Sequence, residues 1–288
     1  MIPLARLKRD VLFNQELTKV IDVLKGIAAS RFHVLERQLV LFERCFQATA
    51  QFLDMVDLQR VSHPFVQART NTVGALMVTS NAGFLGGLNT QVIAAGVRQA
   101  GAGGVLTVVG ERGASALREL RREATVFPGI EDATRASLAS AVSEHLIRQL
   151  LDGACGRLIV VYPRYLSASA QQVTTEVLLP CHEWPPSAQA PPRADVQDVL
   201  WESRVEDVVE YVVIQWLGSR LDQLFALSRL AELGARVIHL EGSYQELMRQ
   251  GKQLKMDYFR ARHELIDRSM REIFASQLLS KRSASIEA

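Results

Sequence analysis

Proline is missing from two long stretches of this sequence: none occurs between Pro3 and Pro64, and none after Pro192. Glycine is nearly missing from the first of these, with Gly26 alone between Leu4 and Val61. Nothing in the backbone chemistry there forces a helix to stop. Cysteine is scarce. Cys45, Cys155 and Cys181 are odd in number, widely spaced and without a CxxC, which argues against a disulfide framework or a zinc site and fits a reducing cytoplasm. Charge of one sign is not in excess: 33 basic and 31 acidic residues leave a net +2, which argues against nonspecific nucleic-acid binding as the main task. Long apolar runs are lacking too. Tyr211-Val-Val-Ile-Gln-Trp-Leu217 falls well short of the roughly 20 residues of a membrane-spanning helix. The opening residues, Met1 to Asp10, hold no apolar core of signal-peptide length. Work at a membrane would therefore go through partners.

What is present divides into three zones, 1–64, 65–202 and 203–288. Read as heptads from Leu4, the first zone places Leu4, Leu7, Val11, Asn14, Thr18, Ile21, Lys25, Ala28, Phe32, Leu35, Leu39, Phe42, Phe46, Thr49, Leu53 and Val56 at the core positions. Twelve of these sixteen are apolar, so the zone is expected to form one amphipathic helix packed lengthwise on another. Its length would be roughly 85 Å. His63-Pro64 should end it, because proline disfavours helix in the residue before it.

In the second zone short β-rich runs alternate with helical patterns. Val73–Thr79, Gly104–Val109, Arg157–Tyr162 and Val173–Leu179 read as strands. Asn89–Ala100, Glu111–Arg121 and Glu131–Leu151 read as helices. Alternation of this kind predicts a Rossmann-like α/β domain with a largely parallel sheet covered on both faces. Trp184-Pro-Pro-Ser-Ala-Gln-Ala-Pro-Pro192 follows as an expected exposed loop.

The third zone carries a second seam at Leu233, Val237, Leu240, Tyr244, Leu247, Gly251, Leu254, Tyr258, Ala261 and Leu265, with steps alternating between four and three. It predicts a helix of about 75 residues, on the order of 110 Å. Gly218, Gly234, Gly242 and Gly251 each cost this helix about 1 kcal/mol relative to alanine, although glycine on a seam also permits close approach. Neither long helix can bury its stripe alone. The expected fold is therefore an α/β domain inserted between N- and C-terminal helices that pair as an antiparallel coiled coil.

Motifs for catalysis are sparse. Ser80-Asn-Ala-Gly-Phe-Leu-Gly-Gly-Leu-Asn89 links a strand to a helix, where a nucleotide-binding domain would hold phosphate, but it matches neither GxGxxG nor GxxxxGK[ST]. A structural turn, with Asn89 capping the helix, is favoured. Val109-Gly-Glu-Arg-Gly113 reads as a turn in the same way. The six histidines, His33, His63, His145, His182, His239 and His263, have no metal-ligand spacing. No serine sits in a GxSxG elbow, and no carboxylate pair stands out. On the last helix Glu264 with Arg268 and Asp267 with Arg271 are spaced for i,i+4 pairs.

The chain resembles F-type ATP synthase gamma subunits along almost its full length. Ile27-Ala-Ala-Ser-Arg31 is similar to that family's first-helix signature, and Gly86-Gly-Leu-Asn89 to the core of its first turn. Val108-Val-Gly-Glu-Arg-Gly113, Val160-Val-Tyr-Pro-Arg164, Ala231-Glu-Leu-Gly-Ala-Arg236, Tyr258-Phe-Arg-Ala-Arg-His263 and Arg271-Glu-Ile273 follow in the family's order. Asn81-Ala82, Leu85 and His263 depart from its usual aspartate-arginine, cysteine and glutamine, as a divergent, ion-pumping branch would. The resemblance implies a rotating central shaft without catalytic, cofactor-binding or metal residues of its own. It implies alpha and beta subunits as a surrounding collar, an epsilon subunit and a membrane c ring as further partners, and a place on the cytoplasmic face of the bacterial inner membrane. It also implies that Arg262, His263 and Glu272 touch beta-subunit loops, with Lys19 and Arg31 as further contacts. The transported ion is not legible, since that choice lies in the c ring. Two alternatives stand beside this reading: a nucleotide-binding α/β enzyme with helical dimerisation arms, and a generic coiled-coil scaffold.

Overall fold

The computed structural model describes residues 3–39, 61–167, 170–181 and 203–284. Its elements are α1 (Leu4–Leu39), β1 (Val73–Val78), α2 (Leu88–Ala100), β2 (Val105–Val109), α3 (Glu111–Glu119), β3 (Thr125–Phe127), α4 (Arg135–Leu151), β4 (Arg157–Ser167), β5 (Ala170–Leu179) and α5 (Val205–Ala284). The expected continuation of the first helix through Val56 and the proline-rich loop at 184–192 lie outside the described residues.

Residues pack into two units, one of Met1–Ile27 with Leu240–Ala288 and one of Ala28–His239. The larger unit holds a five-stranded sheet in the order β3-β2-β1-β4-β5. The pairs β1–β2, β1–β4 and β2–β3 are parallel, and β4–β5 is antiparallel. Strand side chains alternate between faces. Leu76 and Val78 of β1 point with Leu158 and Val160 of β4 into a core shared with α4 and α5, while Ala75 and Met77 point with Ile159 and Val161 into a core shared with α2 and α3. This two-sided burial is the reason the strands read as unbroken apolar runs.

The first part of α5 belongs to that sheet rather than to a coiled coil. Val209, Val213, Leu217, Leu221 and Leu224, at steps of four and three, are fully buried in the first core, together with Phe225. Burying each such side chain is worth about 1.5–3 kcal/mol. Further along, still within this unit, Leu35 of α1 packs with Ala226, Leu230 and Leu233 of α5, and Phe32 meets Tyr165 edge-on at 5.0 Å.

The smaller unit is a helix pair. On α1, Leu7, Asn14 and Ile21 are buried at intervals of seven, and Leu4, Val11, Thr18 and Lys25 between them are half-buried. Opposite them on α5, Leu240 is buried and Tyr244, Leu247, Gly251, Leu254, Tyr258 and Ala261 are half-buried. Lys25 bonds Glu241 at 3.1 Å, and Asn14 faces Gly251, so numbers rise along one helix as they fall along the other. The predicted antiparallel seam is present from Leu240 to Ala261, whereas Leu265, also expected on it, is exposed.

All four glycines lie inside one helix of 80 residues. They have different surroundings. A Cβ on Gly234 would lie 3.2 Å from the Tyr165 ring, and one on Gly251 would lie 2.6 Å from Asn14 Oδ1. Gly218 and Gly242 would meet nothing within 4 Å.

Candidate partner-contact surface

The glycine-rich turn after β1 is filled by the chain itself. Gly86 sits at φ +56° with a Cβ position only 2.5 Å from His239 Nε2, so the α5 histidine packs where a larger residue would stand. Asn89 does not cap α2, which begins at Leu88. Its side-chain oxygen instead accepts from the Ser80 amide at 3.2 Å across the turn. The N-terminus of α3, the other candidate phosphate cradle, is engaged as well. Glu111 N donates to Asn81 Oδ1 at 2.9 Å, Gly113 N to Thr79 Oγ1 at 3.1 Å, and Arg112 N to Ser80 O at 3.2 Å. Helix-end amides bind anions when they are free, and these are held by side chains and a carbonyl just past the end of the neighbouring strand β1. Among the described residues no group of three His, Cys, Asp or Glu could hold a metal ion.

Ion pairs fix α5 to the sheet domain within the larger unit. Arg135, at the start of α4, holds Asp222 at 2.7 Å, with both side chains largely buried. Arg220 donates to Glu176 Oε2 of β5 at 2.6 Å, and Tyr162 of β4 donates to the other oxygen of the same carboxylate. Burial raises the Tyr162 hydroxyl well above its ordinary pKa, and the Glu176 bond adds to this. Glu232 is 5% exposed and lies between Arg229 and Arg236 of its own helix, at 2.7 and 2.5 Å. Asp222 lines an open groove between α4 and α5, where Arg135 holds its carboxylate.

The functional positions implied by resemblance are all exposed and all helical. Lys19 lies on α1, and Arg262, His263 and Glu272 lie on α5 of the smaller unit, while Arg31 belongs to the larger one. Arg262 and His263 are neighbours, and Glu272 lies about 15 Å further along the helix. Lys19 stands opposite the region of Leu247, roughly 20 Å from Arg262, so these residues form no single site. Glu272 is bonded by Arg268 at 3.0 Å, so Arg268 turns toward the C-terminal end rather than toward Glu264. Arg271 donates to the Asp267 carbonyl at 3.2 Å rather than to its carboxylate. Nearer the seam, the hydrogen bonds that Lys25 donates to Asp22 and Glu241 raise its pKa, and Lys25 sits 4.4 Å over the Tyr244 ring.

A row of exposed apolar side chains accompanies these charges and was not singled out from the sequence. Met256, Phe259, Ile266, Met270 and Ile273 are all exposed, and their steps of three, seven, four and three keep them on one face of α5. From Arg262 to Ser276 every residue is exposed. The signal was available as a second 3.6-residue periodicity beside the first.

A model of the ATP synthase family matches residues 4–277. The ATP synthase gamma chain of Thiobacillus denitrificans is 26% identical over 222 residues, covering 74% of this chain and 76% of its own length. That of Acidithiobacillus ferridurans is 26% identical over 271 residues, covering 89% of each. Among solved structures, a chain of the Euglena gracilis mitochondrial ATP synthase OSCP/F1/c-ring assembly superposes with a TM-score of 0.68 at 16% identity, over 95% of this chain and 93% of that one. A chain from the central stalk and c ring of the Tetrahymena thermophila mitochondrial ATP synthase gives 0.60 at 18% identity, over 78% and 99%. At such identities the structural likeness speaks to the fold.

Proposed function

This chain belongs to the ATP synthase family, and from that membership we propose that it is the gamma subunit, the central-stalk rotor that couples ion flow to ATP synthesis or hydrolysis. The observation that carries the reading is the surface of α5. Its seam side is matched by α1, yet from Arg262 to Ser276 it presents apolar and charged side chains together, every one of them exposed among the described residues. Such a face is a liability in isolation and suits a helix enclosed by other subunits.

The proposed partners are alpha and beta subunits around the helix pair, with an epsilon subunit and the c ring at the α/β domain. The division of labour is 1–64 and 226–288 for the shaft and 65–202 for the foot, together with the early part of α5 that covers its sheet. Among the described residues no helix is long and apolar enough to cross a membrane, so attachment to the cytoplasmic face of the bacterial inner membrane is proposed to run through these partners. Arg262, His263 and Glu272, with Lys19 and Arg31, are proposed to meet beta-subunit loops. A single off-axis shaft touches each of three beta subunits differently, and each contact favours a different conformation. Turning the shaft by a third exchanges their nucleotide affinities, which is coupling by differential contact.

Affinity purification of the full chain from solubilised membranes tests the reading. Alpha and beta subunits should co-purify with ATPase activity, and Arg262→Ala with His263→Ala should lower turnover several-fold without loss of either subunit. Recovery of a homodimer alone, or saturable nucleotide binding by the isolated chain near Gly83–Asn89, would favour the scaffold or enzyme alternatives.

A further inference from the structure

Helix α3 closes on an arginine where a glycine would fit most easily. Leu120 N donates to Ala116 O, Arg121 N to Arg118 O and Arg122 N to Leu117 O, at 3.1, 3.0 and 3.0 Å. This closure passes the chain through one left-handed residue, a conformation that costs least when no Cβ is present. Here that residue is Arg121, at φ +53°. Backbone strain kept at a single side chain points to a use for that side chain.

Arg118 and Arg121 are exposed and Arg122 is half-buried, and all three line one open groove of roughly 690 Å³ beside the edge strand β3. The groove has apolar walls as well, where Leu117 is buried and Val126 is 47% exposed. Among the described residues that line it, Glu123 is the one acid. Arginines at the C-terminal end of a helix often cap its carbonyls. In α3 the carbonyls of Ala116, Leu117 and Arg118 are already taken by backbone amides. Arg122 instead donates to Gly101 O at 2.8 Å, which fixes one guanidinium beside the groove. Arg118 lies 3.5 Å from Glu111 with both side chains exposed, a pairing that solvent weakens and that a stronger anion can displace.

A guanidinium presents paired N–H donors that match the oxygens of a phosphate. Three of them around a groove with apolar walls suit a phosphate, including one carried on an apolar body. We propose that the groove between the C-terminal turn of α3 and strand β3 binds a phosphate group, either free in solution or at the head of a lipid.

The test uses the full chain at low salt, where charge pairing is least screened. One arm titrates it with inorganic phosphate by calorimetry. The other floats it with vesicles of phosphatidylglycerol, with phosphatidylcholine vesicles as the control. Saturable binding of inorganic phosphate alone assigns the groove to a soluble phosphate, and recruitment to the anionic vesicles assigns it to a lipid head group. Arg121→Gly separates binding from folding. It relieves the backbone and should unfold at a higher urea concentration than the parent, yet it should bind the same probe roughly tenfold more weakly. Weaker binding by a more stable protein cannot come from damaged folding. Arg118→Gln should weaken binding too, at an unchanged urea midpoint. Binding that Arg121→Gly leaves intact overturns the proposal, and so does failure of both probes. Release of a subunit from the purified complex by Arg121→Gly, with both probes failing, overturns it in favour of an acidic segment of a partner.

Discussion

Asn14 and Gly251 face each other across the helix pair, and a Cβ on the glycine would lie 2.6 Å from the Asn14 side-chain oxygen. Gly242, nine residues earlier on the same helix, would meet nothing within 4 Å. Gly242→Ala should therefore gain most of the helix-propensity difference, about 1 kcal/mol. Gly251→Leu must displace a nearly buried asparagine and should lose about 1–3 kcal/mol. Urea midpoints of the two variants, read by circular dichroism, should move in opposite directions. Equal shifts would mean that the seam is not closed at Gly251.

Arg135 and Asp222 offer a second measurement. With both side chains largely buried at 2.7 Å, removing Arg135 strands the Asp222 carboxylate, and removing Asp222 takes a counter-charge from Arg135. Arg135→Ala or Asp222→Ala should each cost about 2 kcal/mol. The double variant should cost less than the sum of the singles, because the stranding penalty is then absent. Strict additivity in unfolding experiments would refute the pairing.

His63 should titrate below its usual range. Burial is the main cause and outweighs Glu210, whose Oε2 lies 3.4 Å from Nε2 and raises the pKa. The Phe65 amide donates to Nδ1, which also favours the neutral ring. The folded state thus takes up the proton later than the unfolded chain as pH falls. Its contribution to stability is complete above the ordinary value of 6.5 and is lost as pH drops through the folded pKa. In an NMR titration the His63 midpoint should lie below 6.5 and move lower still in Glu210→Gln. A midpoint above 6.5 in the parent would contradict this account.

Burial pushes the Cys155 and Cys181 thiols up to about 11. In a Cys45→Ser background at pH 8, a thiol reagent should modify the native protein at least about 100-fold more slowly than the urea-unfolded chain. The unfolded thiols ionise first as pH rises, so stability from this source is complete below 9.0 and declines toward 11. Rapid native labelling would show that the sheet core opens.

Much of this architecture was legible because periodicity is a strong signal. The seam positions Leu7, Asn14 and Ile21 are buried at the predicted spacing, and strands β1, β2 and β4 begin within one residue of their predicted starts. Strand β3 escaped because Thr125-Val-Phe127 is three residues long and lies close to Arg121, Arg122 and Glu123. The antiparallel direction of β5 is likewise absent from its pattern, since a strand's hydrophobicity does not record the sense of its neighbour. The early part of α5 was assigned to the coiled coil, whereas Val209 to Phe225 cover a sheet, and both surroundings demand the same steps of three and four. Side-chain partners were the least legible. Arg268 had carboxylates at both i−4 and i+4, and spacing alone could not choose between them. The contact residues Arg262, His263, Glu272, Lys19 and Arg31 came from resemblance, since exposure on a helix gives them no local geometry that sets them apart.

Glu232 finds both of its close cations on its own helix, one turn before and one turn after it. A buried carboxylate usually obliges its surroundings to stay in place, because any slippage leaves it without a counter-charge. Here Arg229 and Arg236 travel wherever Glu232 travels. The helix can therefore shift by an ångström against the residues packed on it and keep this charge neutralised, a tolerance that the Arg135–Asp222 link does not share.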